Sequence, residues 1–232
     1  AEPEIQQLCQ MLNRMGANIS GIGSNTLTIQ GVDSLNSIEN IAVIPDRIEA
    51  GTFLIAAAAI GEKVKVTNII PEHLESVVQC LKKANVNIEV SDNSITVQSD
   101  NKNISSTNIE TNEYPGFPTD LQAQWMMLMC LAKGTSTIKE NIYYDRFTHI
   151  MELNRLGCNI KLEDSIAIIE GDRSLIGADV MSTDIRASAA LIIAALCAKG
   201  TTKISRVYHI DRGYDKIEEK LTNIGAEIFR KK

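Results

Sequence analysis

One eight-residue phrase occurs four times in the sequence, and its spacing limits what the chain can fold into. The copies read LNRMGANI, LKKANVNI, LNRLGCNI and LTNIGAEI and lie at residues 12–19, 81–88, 153–160 and 221–228. They recur about every 70 residues, which is too long for a solenoid repeat and fits a small α/β unit. We therefore expect the chain to consist of copies of one such unit.

A second repeated pattern, an apolar helix that ends in glycine, precedes each of the last three phrases. Its copies lie at residues 47–66, 120–138 and 186–204. The glycines at positions 61, 134 and 200 are expected to be helix C-caps, each followed by a short strand. An amphipathic helix, such as residues 71–83, and two more short strands complete the unit. One unit thus reads helix, strand, helix, strand, strand, and the predicted fold class is α+β.

Three units occupy residues 46–232, whereas residues 1–45 hold only the closing helix and strand pair of a fourth. A repeat protein seldom begins partway through a unit, because the missing elements would leave apolar faces uncovered. We therefore expect this sequence to be a fragment of a longer protein.

Charge and hydropathy argue against two classes of partner. The net charge is −6, and no run of Lys and Arg is long enough to indicate binding to nucleic acid or to an anionic membrane. The longest apolar run, residues 189–198, is about half of a membrane span. Any anion would have to be bound by a few individually placed cations.

The cysteines predict neither disulfides nor a metal site. All five lie within apolar patterns, without a CxxC pair and without a histidine at ligand spacing: Cys9, Cys80, Cys130, Cys158 and Cys197. This usage is typical of reduced, buried thiols in a cytoplasmic protein. The sequence also lacks the GxGxxG, GxxxxGK(S/T) and GxSxG motifs, and no cofactor is expected.

The first candidate residues are at the starts of the apolar helices. Arg47, Asp120 and Arg186 occupy equivalent positions, each fourteen residues before the closing glycine. Helix capping is the plainer interpretation, because Asp46 and Thr119 are each followed three residues later by Glu or Gln, as in a capping box. If the units are pseudo-symmetric, however, the helix N-termini converge and would attract an anion. Arginine at two of these positions opposes the helix dipole and calls for a further explanation.

Two more arginines lie in equivalent loops of the second and third units. Arg146 and Arg212 each follow the short strand and precede the amphipathic helix. Either one alone is as readily explained as a solvated loop residue. Together with Arg47 and Arg186, they are repeat-equivalent guanidinium groups of the kind that binds carboxylate or phosphate through two parallel hydrogen bonds.

Five ordered stretches carry a family resemblance that extends over the whole chain. They read PDRIEAGTF, YPGFPTDLQAQ, DRFTHIMEL, DIRASAAL and YHIDRGYDKIEEKL. In these stretches the chain resembles the UDP-N-acetylglucosamine 1-carboxyvinyltransferase family of enolpyruvyl transferases. The resemblance implies an inside-out α/β barrel of repeated units with the active site in a cleft between two domains. Residues 1–45 would be the tail of the N-terminal domain, and residues 46–232 the C-terminal domain.

The resemblance also implies a reaction. Members of this family transfer the enolpyruvyl group of phosphoenolpyruvate to the 3-hydroxyl of UDP-N-acetylglucosamine and release phosphate, in the cytoplasmic synthesis of peptidoglycan for the cell wall. The implied catalytic residues are Asp120, Asp184 and Arg212, and the implied substrate-binding residues are Asp120, Ile142, Arg146, Arg186 and Arg212.

The implied roles differ among these residues. Asp120 would accept the proton of the attacking hydroxyl as a general base. Arg186 and Arg212 would bind the carboxylate of phosphoenolpyruvate, with Arg146 beside them, and Asp184 would orient groups or transfer protons. Ile142 matches a position near the nucleotide sugar. Arg47 is given no chemical role.

Some expected groups are absent from this sequence. The family's Lys-Asn pair and its reactive loop cysteine would lie upstream, so the missing N-terminal domain is an implied partner and the chain alone is expected to be inactive. Two alternatives stay open: a non-catalytic binding module with the same fold, and a related transferase that acts on shikimate 3-phosphate. The quoted stretches disfavour the second alternative.

Overall fold

The computed structural model describes residues 1–100 and 102–231, and for Glu62 the backbone alone. The first segment consists of one helix and a strand pair, as its sequence indicates. Helix α1 spans Pro3–Arg14, and strands β1 (Asn18–Ser20) and β2 (Thr28–Gln30) pair antiparallel in a separate two-stranded sheet. Its apolar side chains are largely exposed, as in the case of Ile29, which is 66% exposed.

The first two repeated units have the predicted order of elements. In the first unit these are α2 (Arg47–Ile60), β3 (Glu62–Thr67), α3 (Glu75–Lys83), β4 (Asn87–Ser91) and β5 (Ser94–Ser99). After strand β6 (Ile109–Glu110), the second unit contains α4 (Gln122–Leu131), β7 (Thr135–Lys139), α5 (Ile150–Arg155), β8 (Asn159–Glu163) and β9 (Ile166–Glu170). The sheets have the orders β3-β5-β4 and β6-β7-β9-β8.

The third unit departs from the prediction at its end. It contains β10 (Asp179–Met181), α6 (Ile185–Cys197), β11 (Lys203–Ser205) and α7 (Ile217–Asn223). The closing strand predicted for residues 226–231 does not form, since no described strand forms a β-ladder with this segment. In the first two units the corresponding strand is one half of a hairpin, β4 with β5 and β8 with β9. Strands β6 and β10, which pair parallel with β7 and β11, were not predicted because each is very short.

The three apolar helices pack against one another at the centre of the molecule, and the sheets lie outside them. Residues 122–130 of α4 and 187–194 of α6 are all buried. The inner faces of the sheets alternate as expected: Ile95 and Val97 of β5 point toward α2, and Ala167 and Ile169 of β9 are buried beside α4. A helix that is apolar on every side must be covered on every side. The molecule is therefore an inside-out α/β barrel.

Helix ends follow the sequence only in part. Asp46 caps α2, because its Oδ1 accepts hydrogen bonds from the N–H groups of Ile48 and Glu49 at 2.7 and 3.1 Å. Gly61 is the C-cap of α2 with φ +94°. The capping box predicted at Thr119 is wrong, since α4 begins through a 3₁₀ turn at Thr119–Leu121 without a side-chain cap.

The remaining predictions about glycines and cysteines can also be compared with the structure. Gly134 and Gly200 have positive φ, but they lie two residues beyond the C-caps of α4 and α6 and turn the chain into the next strand. All five cysteines are free thiols: Cys9, Cys130 and Cys158 are buried, and Cys80 and Cys197 are partly buried. None of the described helices is long and apolar enough to cross a membrane.

We expect Leu128→Ala to lower the free energy of unfolding by about 2–5 kcal/mol, because it leaves a cavity at the centre of three helices. The Leu128 side chain is fully buried. Equilibrium urea unfolding, followed by the fluorescence of the single tryptophan, Trp125, measures the change. The control is Leu8→Ala, at a side chain 45% exposed on α1, which should change stability by less than about 0.5 kcal/mol. Equal losses in the two variants would contradict the assigned core.

Candidate active site

The central feature of the candidate site is a single carboxylate held between two arginines. Asp120 lies in the 3₁₀ turn that precedes α4. Its Oδ1 is 2.7 Å from Nη1 of Arg146, and its Oδ2 is 2.6 Å from Nη2 of Arg186. The three side chains are only 18–33% exposed, so water screens these ion pairs incompletely. The structure thus brings together three of the residues that the sequence analysis singled out.

A close approach of two helices positions the turn that carries Asp120. Leu121, the next residue, is fully buried and packs against Gly51 of α2. A Cβ atom at position 51 would lie 2.4 Å from Cδ1 of Leu121, so a larger residue there would force this side chain to move. Because Leu121 is anchored in the core, Asp120 points away from it, toward the two arginines.

Asp184 positions Arg186 through the backbone. It is the N-cap of α6, and its Oδ1 accepts hydrogen bonds from the N–H groups of Arg186 and Ala187 at 2.7 and 2.9 Å. Its Oδ2 accepts a hydrogen bond of 3.3 Å from the Thr183 hydroxyl. Asp184 therefore lies next to the site, and the contact that it makes with Arg186 is a helix cap. A negative side chain here also suits the positive end of the helix dipole.

Arg146 is positioned by contacts along its whole length. Its backbone N–H donates to the carbonyl of Tyr143, and its guanidinium lies 5.3 Å from the centre of the Tyr143 ring. Nη1 donates to Oγ1 of Thr119 at 3.0 Å as well as contacting Asp120. Stacking on the ring and two polar partners leave this guanidinium little freedom.

The charges of the site stabilise one another. Burial alone would raise the pKa of Asp120, but the hydrogen bond and charge of Arg186, together with those of Arg146, hold it below its ordinary value. Burial likewise opposes the charge of Arg186, yet its bond to Asp120 raises the pKa of the guanidinium. Asp120 is consequently an ionised carboxylate at neutral pH, and each of its oxygens is bound to one guanidinium.

A buried hydrogen-bond network that the sequence analysis missed adjoins Arg186. Tyr214 is 1% exposed, and its hydroxyl lies 2.8 Å from Oγ1 of Thr52 and 3.4 Å from Nε2 of Gln124. Burial raises the pKa of the Tyr214 hydroxyl, and its neighbours Thr52, Arg186 and Gln124 oppose this rise. The network therefore joins α2 and α4 to the segment before α7, beside the site. The signal available in the sequence was the presence of Thr and Gln inside otherwise apolar helices.

His149 is a second buried polar side chain next to the site. It is 2% exposed, and its Nε2 has no hydrogen-bond partner among the residues that the structure describes. Burial disfavours the imidazolium and lowers the pKa of His149 to about 4; the charge of Asp184 opposes this change, and that of Arg146 adds to it. His149 is therefore neutral at physiological pH and adds no charge beside Arg146.

The remaining candidate residues lie outside this cluster. Arg212 ends a 3₁₀ helix (Val207–Arg212) and is exposed, and its side chain forms no hydrogen bond or ion pair with any residue that the structure describes. Ile142 is 41% exposed in the loop before Arg146. Arg47, although equivalent in the repeat to Asp120 and Arg186, turns to α1 instead.

The contacts of Arg47 explain its different direction. It forms ion pairs with Glu2 and with Glu4, the second at 2.8 Å, and its guanidinium lies 5.4 Å from the centre of the Tyr114 ring. The first and second units thus use equivalent positions for different purposes. Two acidic side chains at the start of α1 satisfy the charge of Arg47, so this helix N-terminus does not contribute its arginine to the cluster around Asp120.

Stability should fall with decreasing pH because His149 is neutral when buried. Its pKa is about 4 in the folded chain against an ordinary 6.5, so the unfolded chain binds more protons between these values. The free energy of unfolding has its full contribution from neutral His149 above about pH 6.5. This contribution, on the order of 3 kcal/mol, is lost as pH falls to about 4. In His149→Gln we expect the free energy of unfolding, measured by urea unfolding, to depend less on pH over this range. Thr148→Ala, at the neighbouring exposed position, should keep the wild-type slope; an equal slope in both variants would contradict the assignment.

Comparison with known proteins places this chain in a family. The model of the EPSP synthase (3-phosphoshikimate 1-carboxyvinyltransferase) family matches residues 1–221. A UDP-N-acetylglucosamine 1-carboxyvinyltransferase from Chlorobium luteolum is 50% identical over 232 residues, which are 100% of this chain and 54% of the relative. Another, from Campylobacter fetus, is 53% identical over 230 residues, 99% of this chain and 54% of the relative. The chain thus spans about half the length of the curated relatives that it matches.

Solved structures agree with this placement. The enolpyruvyl transferase NikO from Streptomyces tendae matches with a TM-score of 0.88 and 27% identity, over 98% of this chain and 54% of that one. An EPSP synthase from Acinetobacter baumannii matches with a TM-score of 0.69 and 17% identity, over 95% of this chain and 55% of that one, which bears on the fold alone. The chain belongs to the EPSP synthase family of enolpyruvyl transferases, and within it is similar to the UDP-N-acetylglucosamine 1-carboxyvinyltransferases.

Proposed function

We propose that this chain is part of an enzyme that transfers the enolpyruvyl group of phosphoenolpyruvate to the 3-hydroxyl of UDP-N-acetylglucosamine and releases phosphate, in peptidoglycan synthesis. The observation that carries the proposal is the Asp120 carboxylate between Arg146 and Arg186. It supplies a proton acceptor and two cations in one place, which suits a reaction between a hydroxyl and an anionic substrate. Identity of about 50% to relatives named for this reaction supports the choice of substrates.

The two arginines have a further consequence for the timing of the proton transfer. While both guanidinium groups bind Asp120, its pKa is low and it is a weak base. Phosphoenolpyruvate brings a carboxylate and a phosphate, which compete for the same guanidinium groups. When Arg146 or Arg186 turns to the substrate, the basicity of Asp120 increases as the hydroxyl arrives. The carboxylate then takes the hydroxyl proton while the oxygen attacks the enolpyruvyl carbon.

Other residues of the proposal have supporting roles. The exposed guanidinium of Arg212 has no described partner to give up, so it is free to bind the substrate carboxylate together with Arg186. Asp184, as the cap of α6, keeps Arg186 in place, and its proposed role is to orient groups or transfer protons. Ile142 presents an exposed apolar side chain to the nucleotide sugar.

The proposal includes a division of the protein into domains. Residues 46–232 would be the C-terminal domain and residues 1–45 the tail of the N-terminal one. The rest of that domain would supply the groups that bind phosphate and protonate the methylene carbon of the enolpyruvyl group. The chain by itself is therefore expected to release no phosphate. A non-catalytic binding module with the same fold is the alternative from a different class.

Asp120→Asn in the full-length protein is expected to lower kcat by about 10²–10⁴-fold, because the amide cannot accept the hydroxyl proton. Phosphate release from phosphoenolpyruvate is measured with UDP-N-acetylglucosamine, and separately with shikimate 3-phosphate. Asp179→Asn, at an exposed carboxylate on β10, is the control and should keep full activity. Turnover with shikimate 3-phosphate alone would overturn the assigned acceptor. If the wild-type full-length protein releases no phosphate with either acceptor, the non-catalytic binding module is favoured.

Arg212→Ala is expected to raise the KM for phosphoenolpyruvate about 10-fold or more, since one charge-assisted hydrogen bond is lost. Its stability should be unchanged, because the side chain bonds no described residue. Steady-state kinetics and urea unfolding of the same preparation measure the two effects. Lys161→Ala removes an exposed cation from β8 and serves as the control. An unchanged KM in the arginine variant would remove Arg212 from the site.

A further inference from the structure

Glu140 is a buried carboxylate for which neither the sequence analysis nor the proposed function has a role. It directly follows β7 and is only 3% exposed. It forms no ion pair with any residue in the described part of the chain. A carboxylate buried without a cation is unfavourable unless hydrogen bonds satisfy its oxygens. The hydrogen-bond donors around Glu140 therefore decide what this carboxylate does in the fold.

Neutral donors from three different segments satisfy Glu140. Oε1 accepts hydrogen bonds from the Thr111 hydroxyl at 2.7 Å and from the N–H groups of Ile142 and Tyr143, both at 2.9 Å. Oε2 accepts one from the Thr119 hydroxyl at 3.0 Å. Thr111 follows β6, Thr119 begins the turn that carries Asp120, and residues 142 and 143 belong to the loop that carries Arg146. One carboxylate thus joins two of the three segments that form the site, the third being the start of α6 with Arg186.

The bond to Thr119 determines which way its hydroxyl points. A threonine hydroxyl has one proton, and here the carboxylate of Glu140 takes it as a hydrogen-bond acceptor. The lone pairs of Oγ1 then face Nη1 of Arg146, which donates to them at 3.0 Å. The same Nη1 is 2.7 Å from Oδ1 of Asp120. A continuous chain of contacts therefore leads from Glu140 through Thr119 and Arg146 to Asp120.

The bonds to the loop act on Arg146 from its other end. Glu140 holds the turn through the N–H groups of Ile142 and Tyr143, and the carbonyl of Tyr143 in the same turn accepts the backbone N–H of Arg146 at 3.1 Å. The Tyr143 ring then lies against the guanidinium. Glu140 thus restrains both the backbone and the charged end of Arg146.

We propose that Glu140 is a positioning residue of this site, which acts through the Thr119 hydroxyl and the 142–143 loop to hold the guanidinium of Arg146 against Asp120. Its effect on catalysis rests on the proposed function, whereas its effect on the Asp120 carboxylate does not. The charged groups that act on that carboxylate are Arg146 from this loop and Arg186 from α6. If Arg146 is loosened, Arg186 still lowers the pKa of Asp120, so this pKa should rise only part of the way to its ordinary value.

A titration of Asp120 in the 232-residue chain tests this proposal without any substrate. The ¹³C NMR signal of its carboxyl carbon, assigned with Asp120→Asn, is followed as pH is lowered. Thr119→Val removes the relay hydroxyl with little change in shape. Its titration midpoint should rise by about half a pH unit or more, which is roughly a threefold change in the acid dissociation constant. Glu140→Gln should move the midpoint in the same direction.

Two further variants separate positioning from mere support of the fold. Thr111→Val removes another hydrogen bond to Glu140, and the one that its hydroxyl accepts from the Asn141 N–H, but leaves the relay through Thr119 intact. Ser136→Ala changes a buried β7 hydroxyl that has no hydrogen-bond partner among the described residues. Both should keep the wild-type midpoint. If Glu140→Gln does not fold, Thr119→Val decides the matter by itself. A wild-type midpoint in Thr119→Val, or an equal rise in Thr111→Val, would overturn the proposal.

Activity of the full-length protein then separates this proposal from the proposed function. If the wild type releases phosphate, the acid limb of its kcat/KM profile should move to higher pH in Thr119→Val, and a wild-type limb there would count against positioning by Glu140. If the wild type releases none, the proposed function fails, while the NMR midpoints still decide whether Glu140 positions Arg146.

Discussion

The packing of three helices that are apolar on every side is the constraint on which the rest of the structure depends. Helices α2, α4 and α6 have no polar face that could meet water, so they pack against one another and the sheets cover them from outside. The polar side chains of these helices lie in their N-terminal halves. The hydrogen bonds among Thr52, Gln124 and Tyr214 and the ion pair of Asp120 with Arg186 show that these N-terminal halves come together in one region. The site is therefore a consequence of how the core is formed.

Within that region, three carboxylates serve different purposes because their partners differ. Asp120 is bound to two guanidinium groups and is held in its ionised form. Asp184 binds backbone N–H groups and caps a helix. Glu140 is bound only by neutral donors and connects two segments. The residue type alone does not distinguish these cases, whereas the identity of each hydrogen-bond donor does.

The similarity of the repeated units and the differences between them are both informative. Equivalent positions begin the three apolar helices, yet Arg47 binds acidic side chains of α1 while Asp120 and Arg186 bind each other. Pseudo-symmetry therefore brings the helix ends together without giving them the same chemistry. The loop arginines differ in the same way, since Arg146 is enclosed by Tyr143 and Thr119, and Arg212 is exposed.

By itself, the sequence determined the repeated unit, the apolar helices and the arginines and aspartates worth examining, because periodicity and motif spacing are local properties of the chain. It predicted the helix and strand order of the first two units but missed β6 and β10, which are too short to have a pattern. It also missed Glu140, since a single glutamate after a strand resembles any surface residue. Only the tertiary structure decided that Arg146 and Arg186 meet at Asp120, that Arg47 turns away, and that Glu140 is buried. These outcomes depend on contacts between residues far apart in the chain, which no local pattern records.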